Sequence, residues 1–276
     1  MKTSKERKPI ITEEVNFSYS KGIYTFFCKS VAKLFAVVVA ILAKIADPVS
    51  DIDKLSASAL VSCLWIVNHN DNKLEGISSI SSSVCDNLFC ACRQKIKDCI
   101  CSACYAFNQQ SYQTGLKEHN ILNGLILRNI LLPVVAFKAL RIVYPYLRIE
   151  SFGDVANIIQ ARNYLRIIKA FPRKRCAIWS KNIMIWARAI ELEGKPVNTT
   201  YVHSSSKVNV PDNIDLNKYS FVDHIFTVYD KKYIREHNVV INCGGRKCLE
   251  CIKRKINCYF RTSDKNNTLY INEALK

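Results

Sequence analysis

Apolar positions change their spacing along the chain, and the change divides it. Across residues 155–170 apolar side chains recur at helical spacing (Val155, Ile158, Ile159, Leu165, Ile168), and Pro172 stops the run. Residues 183–192 predict a second helix, closed by Gly194. Short runs at 147–151, 176–179, 198–203, 226–229 and 239–242 predict strands; the third is rich in Thr, Tyr and Val. Strands alternating with helices predict parallel βαβ units with right-handed crossovers. Five or six such strands make a parallel sheet or a partial barrel, and either holds its active residues at the carboxyl ends of the strands.

Upstream the pattern is helical. Residues 115–130 predict a helix, and Pro133 interrupts the chain beyond it. The serine-rich stretch 78–83 reads as a loop. The first sixty-odd residues predict mainly helix, and a polar stretch at 68–73 marks a boundary. The expected organisation is a helical N-terminal segment, 1–67, and a cysteine-rich βα domain, 68–276. The strongest apolar run, 34–43, lies between Lys33 and Lys44. A membrane-spanning helix needs about 20 apolar residues. The run therefore reads as a buried helix ending near Asp47 and Pro48, and no membrane span is expected.

Composition narrows the class. With 276 residues and 49% hydrophobic content, the chain can bury a real core and is not disordered. Only 8 residues are glycine, which weakens collagen-like, propeller and Gly-rich-loop readings. No P-loop, G-x-G-x-x-G or Ser-His-Asp arrangement is visible. His119 and His203 are weak metal or pocket candidates, and His69, His224 and His237 lack partner constellations.

The net charge is +17, and it is concentrated. Residues 162–188 carry eight Lys/Arg and no acid, among Tyr164, Trp179 and Trp186. Residues 231–261 carry nine Lys/Arg against Glu236 and Glu250. Such segments attract phosphates, so nucleic acid or another phosphate-rich partner is a candidate, with solvated helix faces as the plain alternative.

The 13 cysteines carry the most specific chemistry. The charged start and the lack of a small-residue cleavage site argue against secretion, so clustered thiols point to metal rather than disulfides. Cys28, Cys63 and Cys176 stand alone and read as small core residues. Six more follow within 85–104: Cys85, Cys90, Cys92, Cys99, Cys101 and Cys104. Cys101 and Cys104 form C-x-x-C, which lets two thiolates reach one centre from a tight turn. The third ligand comes from upstream, from Cys90, Cys92 or Cys99. Three thiolates on an iron–sulfur cluster leave one iron open, whereas four close the site. Near the end, Cys243-x4-Cys248-x2-Cys251-x6-Cys258 fits a zinc tetrathiolate or a four-cysteine iron–sulfur cluster. Gly244 and Gly245 allow the turn, and Lys247, Lys253, Arg254 and Lys255 favour thiolates.

Residues 72–81 (Asn-Lys-Leu-Glu-Gly-Ile-Ser-Ser-Ile-Ser), 100–106 (Ile-Cys-Ser-Ala-Cys-Tyr-Ala), 148–154 (Arg-Ile-Glu-Ser-Phe-Gly-Asp), Trp179 to Asn182 and the terminal cysteines resemble a phage and mobile-element family called gene product 88. The resemblance covers about residues 68–276. The family's layout looks like that of radical S-adenosylmethionine enzymes, which hold a [4Fe–4S] cluster on three cysteines ahead of a βα barrel. The resemblance implies Cys90, Cys101 and Cys104 as cluster ligands. It implies Gly153 and Asp154, with Glu150 as an alternate acid, where those enzymes hold the methionine amino group. Ser180, Lys181 and Asn182 would face the same pocket. The terminal cysteines would then be a second iron–sulfur cluster or a zinc site.

The expected fold is α/β: a partial parallel βα barrel of radical S-adenosylmethionine type behind a helical N-terminal segment, with a C-terminal metal site at 243–258. The expected function is that of a phage-type iron–sulfur protein, binding a [4Fe–4S] cluster and S-adenosylmethionine and abstracting hydrogen from its substrate. It would act in the cytoplasm, the host's if the chain is phage-encoded. The alternative is a non-catalytic, zinc-stabilised nucleic-acid-binding protein. A third reading is a degenerate barrel without the cofactor.

Overall fold

The structure is a computed structural model that describes residues 54–70, 72–243 and 269–275. The expected helices upstream, the apolar run 34–43, Cys28, Cys248, Cys251 and Cys258 lie outside the described residues. Among the described residues the chain runs α1 (Lys54–Ser62), β1 (Ser78–Ile80), α2 (Leu88–Gln94), α3 (Tyr105–Tyr112) and α4 (Thr114–Asn129). It continues with β2 (Tyr146–Ile149), α5 (Ile158–Ala170), β3 (Arg175–Ser180), α6 (Ile183–Glu193), β4 (Thr199–Ser204), β5 (His224–Tyr229), α7 (Lys231–His237) and β6 (Tyr270–Ala274).

The six strands form one sheet in sequence order, and every neighbouring pair is parallel. The α/β class and the parallel sheet are therefore as expected. Sequential order means that each crossover steps the same way. With right-handed crossovers, that sends the connecting helices to one face.

Helix α5 shows why. Its N-cap Asn157 accepts Gln160 N–H at 2.9 Å, and the helix ends at Phe171, ahead of Pro172. Ala161, Tyr164, Leu165, Ile167 and Ile168 are buried. Its outer cations Arg162, Arg166 and Lys169 all pair with Glu193 of α6. Tyr164 stacks near Trp186 of α6, and Trp186 meets Tyr201 of β4 edge-on, which fixes the helix layer against one face of the sheet. Each fully buried side chain of Leu or Ile size adds about 1.5–3 kcal/mol. On the opposite face a second apolar group forms from Ile77, Ala177, Val202 and Phe226, with Leu74, Trp179 and Ile271 packed on it.

Two expectations change. Residues 78–80 are a strand, not loop. Their serines are buried but satisfied: Ser78 Oγ donates to Asn68 Oδ1 at 2.7 Å, and Ser79 exchanges backbone bonds with Val67 at 2.8 Å. Residues 239–242 are not a strand. They run beside β6, held by Asn242 and Asn272 side chains, and the next residue, Cys243, makes a single parallel bridge to Glu273. Helix α1 packs against the turn Ala136–Ala139, with Ala57, Leu60 and Val61 fully buried. Among the described residues no helix is long and apolar enough to cross a membrane.

Candidate functional site

The middle cysteines sit on two short pieces of helix. Asn87 caps α2 by accepting Phe89 N–H (3.0 Å) and Cys90 N–H (3.4 Å), and α2 carries Cys90 and Cys92. A single 3₁₀ turn, Ile100–Ala103, carries Cys101; the Cys99 sulfur caps it by accepting Cys101 N–H at 3.5 Å. Cys104 then precedes α3 as its N-cap residue.

This segment is tied to the carboxyl ends of two strands. Asn87 Nδ2 donates to the Asp154 carbonyl at 2.5 Å, beyond β2. Tyr105 Oη donates to the Ser151 carbonyl at 2.9 Å, also beyond β2. Ile100 N–H donates to the Ser206 carbonyl at 2.9 Å beyond β4, and Arg93 donates to Ser206 Oγ. Ser206 is itself held by Asp212, whose carboxylate accepts its N–H and O–H and also pairs with His203 Nε2 at 2.9 Å. His203 is thus an internal partner of a loop carboxylate. His119 stacks on Trp65, ring centroids 4.0 Å apart.

Within this segment the thiols act on one another's ionisation. Burial raises the Cys90 thiol far above its ordinary range, and Asp154, Glu150, Cys101 and Cys104 push it the same way. Cys101 is pushed up to about 11 by burial, against the pull of Lys181 and Arg93. Cys90 is therefore near enough to feel the charge of Cys101 and Cys104, and Cys101 that of Cys99. Cys92, two residues along α2, is exposed, whereas Cys99 is buried against the turn it caps. Among the described residues no three His, Cys, Asp or Glu side chains converge closely enough to hold a single metal ion.

The segment after β2 changes direction at two left-handed residues, Glu150 (φ 51°) and Gly153 (φ 93°). The Glu150 carboxylate lies inside the helix layer, accepting from Tyr164 Oη (2.6 Å), Ser82 Oγ (2.7 Å), Gln160 Nε2 (2.8 Å) and Ser82 N–H (3.1 Å). Burial pushes it up to about 8 despite the Tyr164 and Ser82 bonds. A side chain on Gly153 would meet Val84 Cγ1 at 2.7 Å. Asp154 joins the ends of β2 and β3: it accepts Ser180 O–H (2.5 Å), Lys181 N–H (2.6 Å) and Val155 N–H (2.8 Å). Asn182 continues the link, its N–H donating to Ser180 Oγ and its side-chain amide to the Val155 carbonyl. The Lys181 ammonium rests on Ser204 Oγ at 2.9 Å and acts on Cys101. Lys181 is thus the member of the Ser180–Asn182 trio whose side-chain charge reaches the thiols. Burial raises Asp154 as well, against its three donors.

Of the terminal cysteines only Cys243 is described. Its thiol donates to Glu273 Oε2 at 3.8 Å, and Glu273 pairs with Lys73 Nζ at 2.6 Å. In the basic segment 162–188, Arg162, Arg166 and Lys169 are engaged by Glu193, Lys174 caps the carbonyls of Ile142 and Tyr144, and Arg188 pairs with Glu191. Much of that charge is spent inside the fold. Sequence reasoning missed Asn87, Arg93, Ser206 and Asp212, because nothing local marks residues that work by joining distant segments.

Comparison of the chain with family models, curated proteins and solved structures gives no match.

Proposed function

We propose that the chain is an iron–sulfur protein of radical S-adenosylmethionine type, with a [4Fe–4S] cluster on Cys90, Cys101 and Cys104. One observation carries the reading: Cys90 lies within the electrostatic reach of Cys101 and Cys104, on a segment tied to the carboxyl ends of a parallel sheet, while Cys92 is exposed. The sequential order of six parallel strands suits the partial barrel that such enzymes use.

The donor set suits the group. Thiols whose pKa burial raises, as at Cys90 and Cys101, are neutral when alone and give up their protons to a metal centre. Lys181 and Arg93 offset the negative charge that three thiolates bring. The cluster with S-adenosylmethionine would supply one-electron chemistry and hydrogen abstraction, and the chain supplies binding and orientation. Asn87, Tyr105 and Ile100 hold the cysteine segment to the strand ends. Asp154 fixes the turn that presents Lys181, and Gly153 lets that turn pass close to Val84. The terminal cysteines would hold a second cluster or zinc.

Anaerobic reconstitution followed by iron and sulfide analysis tests the reading. Iron with labile sulfide that depends on Cys90, Cys101 and Cys104 supports it. Stoichiometric zinc without iron removes it, and leaves the zinc-stabilised binding protein.

A further inference from the structure

We infer that Asp212, acting through Ser206, is the positioning residue that holds the Cys101 turn beside the Cys90 helix. The inference deepens the reading above and rests on it only for what the thiols hold; the positioning itself does not need the cluster.

Each proposed ligand lies beside its own tie to the sheet. Asn87, which caps the Cys90 helix, bonds the Asp154 carbonyl, and Tyr105, next to Cys104, bonds the Ser151 carbonyl. Both of those acceptors follow β2. Cys101 has its tie beyond β4, where Ile100 N–H donates to the Ser206 carbonyl at 2.9 Å. The Ser206 hydroxyl also accepts from Arg93, in the last turn of α2. Ser206 therefore bonds both pieces, the helix that carries Cys90 and the turn that carries Cys101. Its place fixes how the two stand to each other.

Asp212 fixes that place. Ser205 is still tied to β5, its N–H donating to the Phe226 carbonyl at 2.8 Å and its hydroxyl bonding Thr227 Oγ1 at 2.9 Å. Ser206 turns to Asp212 instead, whose carboxylate accepts its N–H at 3.2 Å and its O–H at 3.1 Å. Asp212 is anchored in turn. Its N–H donates to Ser205 Oγ at 3.0 Å, and its Oδ2 pairs at 2.9 Å with Nε2 of His203, a β4 residue only 3% exposed. Burial pushes the Asp212 carboxyl up, but the bonds from His203 and Ser206 outweigh it and hold it below its ordinary range. An ionised carboxylate only accepts, and a guanidinium only donates. The Ser206 hydroxyl therefore gives its proton to Asp212 and keeps its lone pairs for Arg93.

Closure of its own loop is the plainer role for Asp212. The same loop is also closed by Asn209, whose N–H donates to the Val228 carbonyl at 2.9 Å and whose Oδ1 accepts Asp230 N–H at 2.8 Å. Those bonds run to β5 and to the cap of α7, away from the cysteine segment. Asn209 has φ 67°, so glycine there keeps the backbone and removes the side-chain bonds. Asn209 and Asp212 thus separate loop closure from the positioning of Cys101.

The test uses the full chain, reduced, anaerobic and without cluster. Two readouts are local: amide hydrogen exchange at Ile100, and labelling of Cys101 by iodoacetamide relative to the exposed Cys92. Asp212→Ala should speed Ile100 exchange by about tenfold or more, the effect of losing one hydrogen bond to a charged group. Cys101 labelling should rise relative to Cys92. Asp212→Asn keeps an acceptor for Ser206 N–H and should recover part of both. Asn209→Gly should change neither. Ser206→Ala is measured beside them as the milder variant, so that a chain failing to fold with Asp212→Ala does not decide the matter. It loses the Arg93 bond but keeps the carbonyl for Ile100, so labelling should rise with a smaller change in exchange. Exchange and labelling unchanged in Asp212→Ala and Ser206→Ala, equal effects in Asn209→Gly, or no recovery in Asp212→Asn would overturn the inference. Iron per chain after reconstitution is measured separately. A wild type that takes up no iron would sink the cluster reading and leave the positioning standing. Iron that depends on Cys101, with Ile100 exchange indifferent to Asp212, would do the reverse.

Discussion

Asn87 donates its side-chain amide to the Asp154 carbonyl at 2.5 Å, while its own side-chain oxygen caps the helix that carries Cys90. One residue thus starts a helix and docks it on the end of β2. Asn87→Ala removes the cap and the dock together. Loss of a cap and of a buried hydrogen bond should lower stability by about 1–3 kcal/mol, measured by urea unfolding. Iron uptake should fall in the same variant. Asn87→Asp keeps the cap but cannot donate, so it should recover stability in part and leave iron uptake low.

Gly153 has φ 93°, and an added Cβ would meet Val84 Cγ1 at 2.7 Å. Gly153→Ala should cost about 1–3 kcal/mol through backbone strain and contact. Val84→Ala in the same chain should relieve the contact but not the backbone. The double variant should therefore be more stable than the sum of the two single losses implies. Simple additivity in thermal unfolding would show that Val84 is not the obstacle.

Glu150 predicts a pH slope. Its carboxyl is pushed from an ordinary 4.5 up to about 8 by burial. Between those values the folded chain holds a proton that the unfolded chain releases. The Glu150 contribution to stability is full below about 4.5 and is lost as pH rises through about 8, at up to about 1.4 kcal/mol per pH unit. Urea midpoints from pH 5 to 8 should fall more steeply in the wild type than in Glu150→Gln. Equal slopes would show that the four donors around Glu150 keep it ionised throughout.

Glu193 is only 8% exposed and gathers Arg162, Arg166 and Lys169. Glu193→Gln leaves those cations without their counter-charge and should cost about 1–3 kcal/mol. Glu193 is held below its ordinary range, chiefly by bonds from Arg166 and Arg162 acting against burial. Its contribution is therefore present above the ordinary carboxylate pKa and is lost as pH falls through the lowered value. Its sign is opposite to that of Glu150, so the two variants should separate in unfolding at pH 4 and pH 7.

The middle of the sheet was legible because β2 to β5 are apolar and α4 to α6 keep helical spacing. Strand β1 was not, because its pattern is Ser-Ser-Ile: buried serines look like loop until Asn68 and Val67 arrive to satisfy them. Helix α7, Lys231–His237, is short and polar. It rests on Asp230 capping Tyr233 N–H and on Tyr233 stacking with His237. The cysteines were legible as a cluster but not as a ligand set. Cys92 is exposed on α2, whereas Cys99 is buried, caps its own turn and acts on Cys101, and these are consequences of packing. The charge of 162–188 was legible as an amount, but its engagement with Glu193 needed the helix pair α5 and α6.

The most direct measurement is iron and sulfide per chain after anaerobic reconstitution, in the wild type and in serine variants of Cys90, Cys92, Cys99, Cys101 and Cys104. Serine at Cys90, Cys101 or Cys104 should each remove about four irons, one whole cluster, while serine at Cys92 should remove none. Iron unchanged in the first three, iron lost with Cys92, or zinc bound in place of iron would contradict the account.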